Sequence, residues 1–352
     1  MTDSWSRASA LLSAGTEDGS TPLGLPTACC LLPSVWLPAA RCLLPAVSLP
    51  AARCLLPAVL LALIACGDNT TSTARATQAP TTGRQTTAGT PRRIVSIVPA
   101  VTEMLFAIGA GPKVVAVGSF DKYPPEVRDL PRVGALIDPD VERIISLGAD
   151  LVVVDRGQVD LQRKLANAGI ATYPYSLGGL DNVGRSIREL GAITGHARQA
   201  ALLAETIESR LASIRARTKG LPHPATMLVF SREPGGLRNI YVSGGIGFLH
   251  DLLEVAGGTN IFASVRRESL QVTTETILSS APEVILELRY GVAFTPEQIE
   301  SDRESWNVLA SVPAVRHGRV YELVGDEFVV PGPRVVDTAE HMARLLHPEV
   351  FD

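Results

Sequence analysis

Read for its alternation of apolar and polar positions, the chain changes character near residue 91. From there, short apolar runs alternate with stretches of helical periodicity. Arg93-Ile94-Val95-Ser96-Ile97-Val98 reads as a buried strand, and Pro99 then opens a helical pattern through Leu105 to Ile108 that Gly109 and Gly111 stop. Val114–Val117 is the next strand, and a short helix over Val141–Leu147 feeds a strand at Leu151–Val154. A further helix ending at Ala168 leads to a strand at Ala171–Tyr173. Strands separated by helices need crossover connections, so the pattern predicts a parallel sheet with both faces covered.

From Asp181 to about Lys219 the strand signal disappears and helical spacing takes over, broken near Thr194-Gly195. The second piece, from His196, puts Ala200, Ala204, Ile207, Leu211 and Ile214 on one face, and at about 1.5 Å per residue it reaches roughly 35 Å, the span of a domain. The alternation resumes with Met227–Phe230, Ile240–Val242, a helix over Phe248–Val255, a strand at Val284–Leu288 and a last helix after Pro331-Gly332-Pro333-Arg334. The predicted fold class is α/β: two Rossmann-like lobes with mostly parallel sheets, residues 91–180 and 221–352, joined by one long backbone helix within residues 181–220. The lobes echo each other. Val141 to Val153 sets beside Thr274 to Leu286, each a helix with a plausible N-cap (Asp140 or Thr273), a tight turn and a buried strand. Each unit places one glutamate, Glu142 or Glu275, in the first helical turn.

Residues 1–66 behave differently. A twelve-residue pattern repeats as CLLPSVWLPAAR, CLLPAVSLPAAR and CLLPAVLLALIA, and its prolines break any helix before Ala58. The uninterrupted run Ala58–Ala65 falls well short of the about 20 residues a membrane span needs. Arg41 and Arg53 ahead of an apolar run that ends in small residues fit a secretory signal instead. Residues 67–90 are rich in Thr, Ala and Gly with no larger aliphatic side chain, so they are expected to form a disordered tether. Leu63-Ile64-Ala65-Cys66 resembles the bacterial lipobox, which implies cleavage before Cys66, acylation of its sulfur and extracytoplasmic retention on the cell membrane by a lipid anchor.

Composition narrows the function classes. All five cysteines lie at or before Cys66, which excludes a disulfide framework or a cysteine zinc site from the rest of the chain. The net charge is −4, and no basic stripe interleaved with aromatics occurs, so nucleic acid is not an expected partner. The six histidines are scattered and point to no metal site. No phosphate loop or nucleophile elbow is present, and Ser243, His250 and Asp251, neighbours on one helical turn, do not converge as a hydrolase triad must. No catalytic residue is assigned, and the chain is expected not to be an enzyme.

Seven segments in order resemble one family: RIVSIVPAVTEMLFAIGAG, SFDKYPPEV, PRVGALIDPDVERIISLGADLVV, LLEVAGGTNIF, QVTTETILSSAPEVIL, VPAVRHGRVYEL and PGPRVVDTAEHMARLLHP. They are similar to the substrate-binding proteins of ABC importers for cobalamin and ferric siderophores, the class with a single helix between its lobes. The resemblance implies a monomer that binds a chelate between its lobes, needs no cofactor of its own and docks on a permease dimer through one carboxylate per lobe, here Glu142 and Glu275. It leans toward a cobalamin-type corrinoid, with a ferric siderophore or haem as alternatives. Ligand side chains are expected on loops at strand ends, which here carry Pro99, Phe120, Tyr123, Leu136 and Asp155 in the first lobe and Arg232, Ser243, Ser269, Tyr290 and Asp326 in the second. Three cleft tryptophans expected of the cobalamin branch fall on Leu136, Asp155 and Ser269.

Overall fold

The apolar run Ile94–Ser96 forms β1 and Pro99–Ala107 the helix α1, in a computed structural model that describes residues 89–351. Cys66, the repeats before it and the tether up to residue 88 lie outside the described residues. Pro99 sits in the first turn of α1, where a missing N–H costs nothing. β2 (Val114–Val117), the hairpin strands β3 (Gly134–Ala135) and β4 (Asp138–Pro139), α2 (Val141–Ser146), β5 (Leu151–Asp155), α3 (Val159–Asn167) and β6 (Ala171–Tyr175) complete the first lobe. Its sheet runs β2-β1-β5-β6 and is parallel throughout. β1 is wholly buried and β5 nearly so, as a sheet covered on both faces requires.

α4 (Leu180–Thr194) and α5 (Ala197–Thr218) follow with no strand between them. Gly195, at φ 78°, ends α4 in the left-handed conformation that only glycine adopts freely. Gly191 is a point of close approach between the two helices, because a Cβ there would collide with that of Ala200. The stripe Ala200, Ala204, Ile207, Leu211 and Ile214 is buried, as its spacing predicts. No helix among the described residues is long and apolar enough to cross a membrane.

The second lobe comprises β7 (Ala225–Ser231), β8 (Ile240–Ser243), α6 (Phe248–Val255), β9 (Thr259–Asn260), β10 (Ser269–Val272), α7 (Thr274–Ser280), β11 (Val284–Arg289), α8 (Pro296–Glu304), α9 (Pro313–Arg316), β12 (Val320–Val324), α10 (Val335–Leu346) and α11 (Pro348–Phe351). Its sheet runs β10-β8-β7-β11-β12, with β9 beside β7. β7, β11 and β12 are parallel, but β8 runs against both β7 and β10. The link from β7 to β8, residues 232–239, is too short for a crossover, and Asn239 at φ 51° helps return the chain.

Strand periodicity divides the core. Leu228, Phe230, Leu286 and Leu288 join an apolar cluster that includes α4, α5, α10 and the first sheet, so one continuous core serves both lobes. Met227, Val229 and Ile285 face the other way, onto Trp306 and Ile277. Buried among them is a charged network that corrects one expectation. Arg232, expected in the cleft, has a side chain with 0% exposure. Its Nε donates to Glu287 Oε1 at 2.6 Å, and its Nη2 donates to Glu287 Oε2 at 3.1 Å and to the Asp302 carbonyl at 2.8 Å. Trp306 Nε1 also donates to Glu287, at 2.8 Å, while Arg289 pairs with Glu287, Asp302 and Glu322 at 2.9–3.0 Å. Arg232 follows a strand end, as a cleft residue would, but a buried carboxylate draws it inward, since a charge out of water must be paired. Burial, reinforced by the Glu287 charge, pushes the Glu322 carboxyl up to about 8.

Candidate functional site

Because every strand of the first sheet runs the same way, the loops that leave them gather along one edge. That edge carries Phe120 (50% exposed) and Tyr123 (45%) after β2, Ile137 (53%) in the β3–β4 hairpin, Val159 (60%) at the start of α3 and Leu177 (37%) after β6. Exposed apolar side chains scattered singly are ordinary, but five on the loops of one sheet edge make that edge the candidate binding surface. Ile137 lies in the loop beside Leu136 where ligand contacts are expected, whereas Val159 and Leu177 lie outside the expected loops. Their signal was available: each is an aliphatic residue just past a strand or hairpin where a turn calls for a polar one.

The structure brings three of the predicted cleft residues together with partners that the sequence did not reveal. Lys122 Nζ lies 3.1 Å from Asp326 Oδ2 and donates to the Gly291 carbonyl at 2.5 Å, and Asp326 Oδ1 accepts from the Gly291 N–H at 2.9 Å. Tyr290, next to Gly291, has its hydroxyl pKa raised by burial and by the Asp326 charge. Arg334 lies over the Tyr123 ring, 4.2 Å from its centroid, and reaches across to Glu103 of α1 with contacts of 2.6 and 3.0 Å. It also meets Glu327 at 3.1 Å. Glu103 is 3% exposed in its side chain; burial raises its pKa and Arg334 pulls it back. Gly332 has no side chain because a Cβ there would lie 2.7 Å from the Glu103 carboxylate. These contacts join the lobes on either side of Tyr123.

Other predicted residues form separate groups. Leu136 and Asp155 are linked through Gln158, whose Oε1 accepts from the Asp155 N–H at 2.9 Å and whose Nε2 donates to the Leu136 carbonyl. Asp155 Oδ1 closes its own turn by accepting from the Gly157 N–H at 2.7 Å. Pro99 is half-buried at the start of α1. Ser243 and Ser269 pair across β8 and β10, on the antiparallel side of the second sheet, whereas Tyr290 and Asp326 follow the ends of β11 and β12. Ser243 is 1% exposed and its hydroxyl donates to the Gly244 carbonyl at 3.1 Å, so it is satisfied inside the lobe. Beyond this pair, a shallow crevice too small for more than a water molecule is lined by Leu177 and Gly178 of the first lobe and by Gly247, Phe248 and Glu268 of the second. Burial raises the Glu268 pKa. Asp251 Oδ2 accepts from the Leu180 N–H at 2.8 Å, and His250 faces Asn260 and Glu254 at 3.4 Å each. The Ser243 hydroxyl, the His250 ring and the Asp251 carboxylate therefore hydrogen-bond to other groups rather than to one another.

Glu142 and Glu275 stand exposed, each as the second residue of its helix, α2 or α7. Asp140 accepts from the Arg143 N–H at 2.9 Å and Thr273 from the Thr276 N–H at 3.3 Å, the two N-caps that the sequence predicts. The Thr273 hydroxyl holds the Glu275 carboxyl below its usual range.

Residues 94–326, from β1 to the Asp326 that meets Lys122, match the family model described as periplasmic binding protein. The chain belongs to this family. An uncharacterized ABC transporter substrate-binding lipoprotein of Bacillus subtilis is 30% identical over 269 residues, covering 74% of this chain and 82% of the relative. The vitamin B12-binding protein of Salmonella typhimurium is 28% identical over 256 residues, covering 72% and 90%. Among solved structures, the periplasmic vitamin B12 binding protein of Vibrio cholerae matches with a TM-score of 0.64 at 25% identity, covering 74% of this chain and 98% of that one. A periplasmic haem-binding protein from Roseiflexus sp. RS-1 matches with a TM-score of 0.63 at 25% identity, covering 74% and 99%.

Just behind Phe120 and Lys122, this periplasmic binding protein buries Asp121 to 1% exposure with both carboxylate oxygens lacking a hydrogen-bond partner. Burial pushes its pKa up to about 7; Thr102, the Gly118 backbone and Arg132 lie near enough to restrain the rise. A carboxyl with a raised folded-state pKa contributes stability that is complete below its unfolded value, 3.8, and is lost as pH rises through about 7. Urea unfolding from about pH 4 to about pH 8 should show the native protein losing stability relative to Asp121→Asn across that window. Identical pH slopes for the two proteins would refute the assignment.

Proposed function

We propose that this periplasmic binding protein is the substrate-binding component of an ABC importer, that it binds a cobalamin-type corrinoid between its lobes, and that it delivers the ligand to a permease without transforming it. The observation that carries the reading is the row of Phe120, Tyr123, Ile137, Val159 and Leu177 on one sheet edge. A macrocycle offers a broad apolar face, and covering such surface is the main favourable term in its binding. The B12-binding relatives at 25–28% identity support the ligand class. Leu136, Asp155 and Ser269 stand where that branch was expected to carry tryptophan, and the exposed aliphatic residues offer the alternative contact surface. In this reading Lys122, Asp326 and Arg334, which bridge the lobes beside Tyr123, meet the polar periphery of the ligand.

Haem is the second reading, favoured by one observation: Tyr123 is exposed beneath the Arg334 cation. The haem-binding relative at 25% identity is consistent with it. In either case the apolar core shared through α4 and α5 limits closure to small rotations. Cys66 carries the lipid anchor in this reading, in keeping with the lipoprotein name of the Bacillus subtilis relative. Glu142 and Glu275 dock against cations on two permease subunits. Such contacts steer and orient association more than they add affinity.

Titration of the purified protein with cyanocobalamin, haemin and a panel of ferric siderophores, followed by absorbance and melting temperature, separates the ligand classes. A corrinoid at a hundredfold excess over its Kd should raise the melting temperature by roughly 5 °C. A shift with haemin alone selects the haem reading, and hydrolytic turnover of any ligand rejects the receptor class. Glu142→Lys/Glu275→Lys should lower ligand uptake by cells at least about tenfold while leaving ligand affinity unchanged; lost ligand binding would make the pair structural. Labelled palmitate should enter the native chain but not Cys66→Ala, and equal labelling of both would remove Cys66 from the account.

A further inference from the structure

The two matched helices repeat more than a glutamate. In α2 the residue three after Glu142 is Ile145, and in α7 the residue three after Glu275 is Leu278. Both are exposed, at 44% and 43%, while the residue before each, Ile144 or Ile277, has 0% exposure and anchors its helix to its own lobe. Side chains three apart on a helix are surface neighbours, so each helix presents an acid and an aliphatic group side by side. Position 144 or 277 would have sufficed to hold the helix. Nothing in helix stability asks for a second large aliphatic side chain in water at the same register of both lobes.

We infer that Ile145 and Leu278 are the apolar halves of two equivalent docking contacts, each seating in a hollow beside the cation that receives Glu142 or Glu275 on a two-fold symmetric permease. This rests on the docking reading above and extends it. A single acid-and-aliphatic patch would fit many partners. Two copies of it in lobes that share one core require a partner that presents the same feature twice. A second copy of this chain does not satisfy that requirement, because it would set glutamate against glutamate. Arg143, the one cation on either helix, lies one position after Glu142 and so off the Glu142–Ile145 face. The division of labour follows from the chemistry: the glutamates act at a distance and are screened by salt, whereas the aliphatic contacts act only on close fit and are not.

The test places the photocrosslinker p-benzoylphenylalanine singly at positions 142, 145, 275 and 278 of the full chain, and at Leu202 as an exposed control on α5. Cells carrying the importer are irradiated and adducts are sequenced. Positions 145 and 278 should each capture a peptide of the permease subunit, and position 202 should not. Capture at 142 and 275 without 145 and 278 overturns the inference but spares the docking reading; capture at none of the four removes both. In a second measurement, Ile145→Ser/Leu278→Ser should weaken retention on permease proteoliposomes at least about tenfold, equally at about 0.05 M and about 0.5 M salt. The defect of Glu142→Gln/Glu275→Gln should shrink over the same range. Full retention of the serine variant, or a defect that salt abolishes, also overturns it.

Discussion

Ala200, Ala204, Ile207, Leu211 and Ile214 of α5 pack into an apolar cluster that starts at β1 and ends on one face of the second sheet. Pulling the lobes apart would return part of that stripe to water, and each large aliphatic side chain so exposed costs roughly 1.5–3 kcal/mol. The lobes thus hold a nearly fixed relation before any ligand arrives. Gly191 permits this arrangement by letting α4 and α5 approach closely, and Gly195 permits it by turning the chain between them. The cleft surfaces and the two glutamate-bearing helices take their separation from that packing.

Polar contacts then act at the edges of this frame. The Glu103–Arg334 pair is largely out of water, so its Coulomb attraction is offset by desolvation, and its value lies in geometry. Arg334 can hold Tyr123 and Glu103 at once only with the lobes in their present relation. The inward-turned network of Arg232, Glu287, Arg289 and Asp302 does the same within the second lobe, fixing the ends of β7 and β11 against α8.

Much of the fold was legible in the chain because buried parallel strands are continuous apolar runs and α5 has an unbroken helical stripe. Among the elements that escaped are the short strands β3, β4 and β9, the helices α8, α9 and α11, and the two edge strands of the second sheet. β10 reads Ser-Leu-Gln-Val and β12 encloses Glu322, so neither shows the apolar run of a covered strand. The site was legible only in outline. Strand ends pointed to Tyr123, Tyr290 and Asp326, but the same rule also pointed to Arg232, which Glu287 draws inward, and to Ser243, the last residue of an antiparallel strand. Lys122, Glu103 and Arg334 stayed hidden because their meaning lies in pairs separated by some two hundred positions, which local periodicity does not record.

If the edge binds a ligand as proposed, Lys122 bears on its selectivity. Its ammonium already occupies the Asp326 carboxylate and the Gly291 carbonyl. A ligand that uses Asp326 enters a site with a resident competitor, and its measured affinity is the difference between two complexes, one of which the protein makes with itself. Small cations and weak hydrogen-bonding solutes gain little from that exchange. In the reading proposed above, a large ligand that covers the apolar edge in the same event outweighs that exchange, because a partly exposed ion pair is worth at most about 1 kcal/mol.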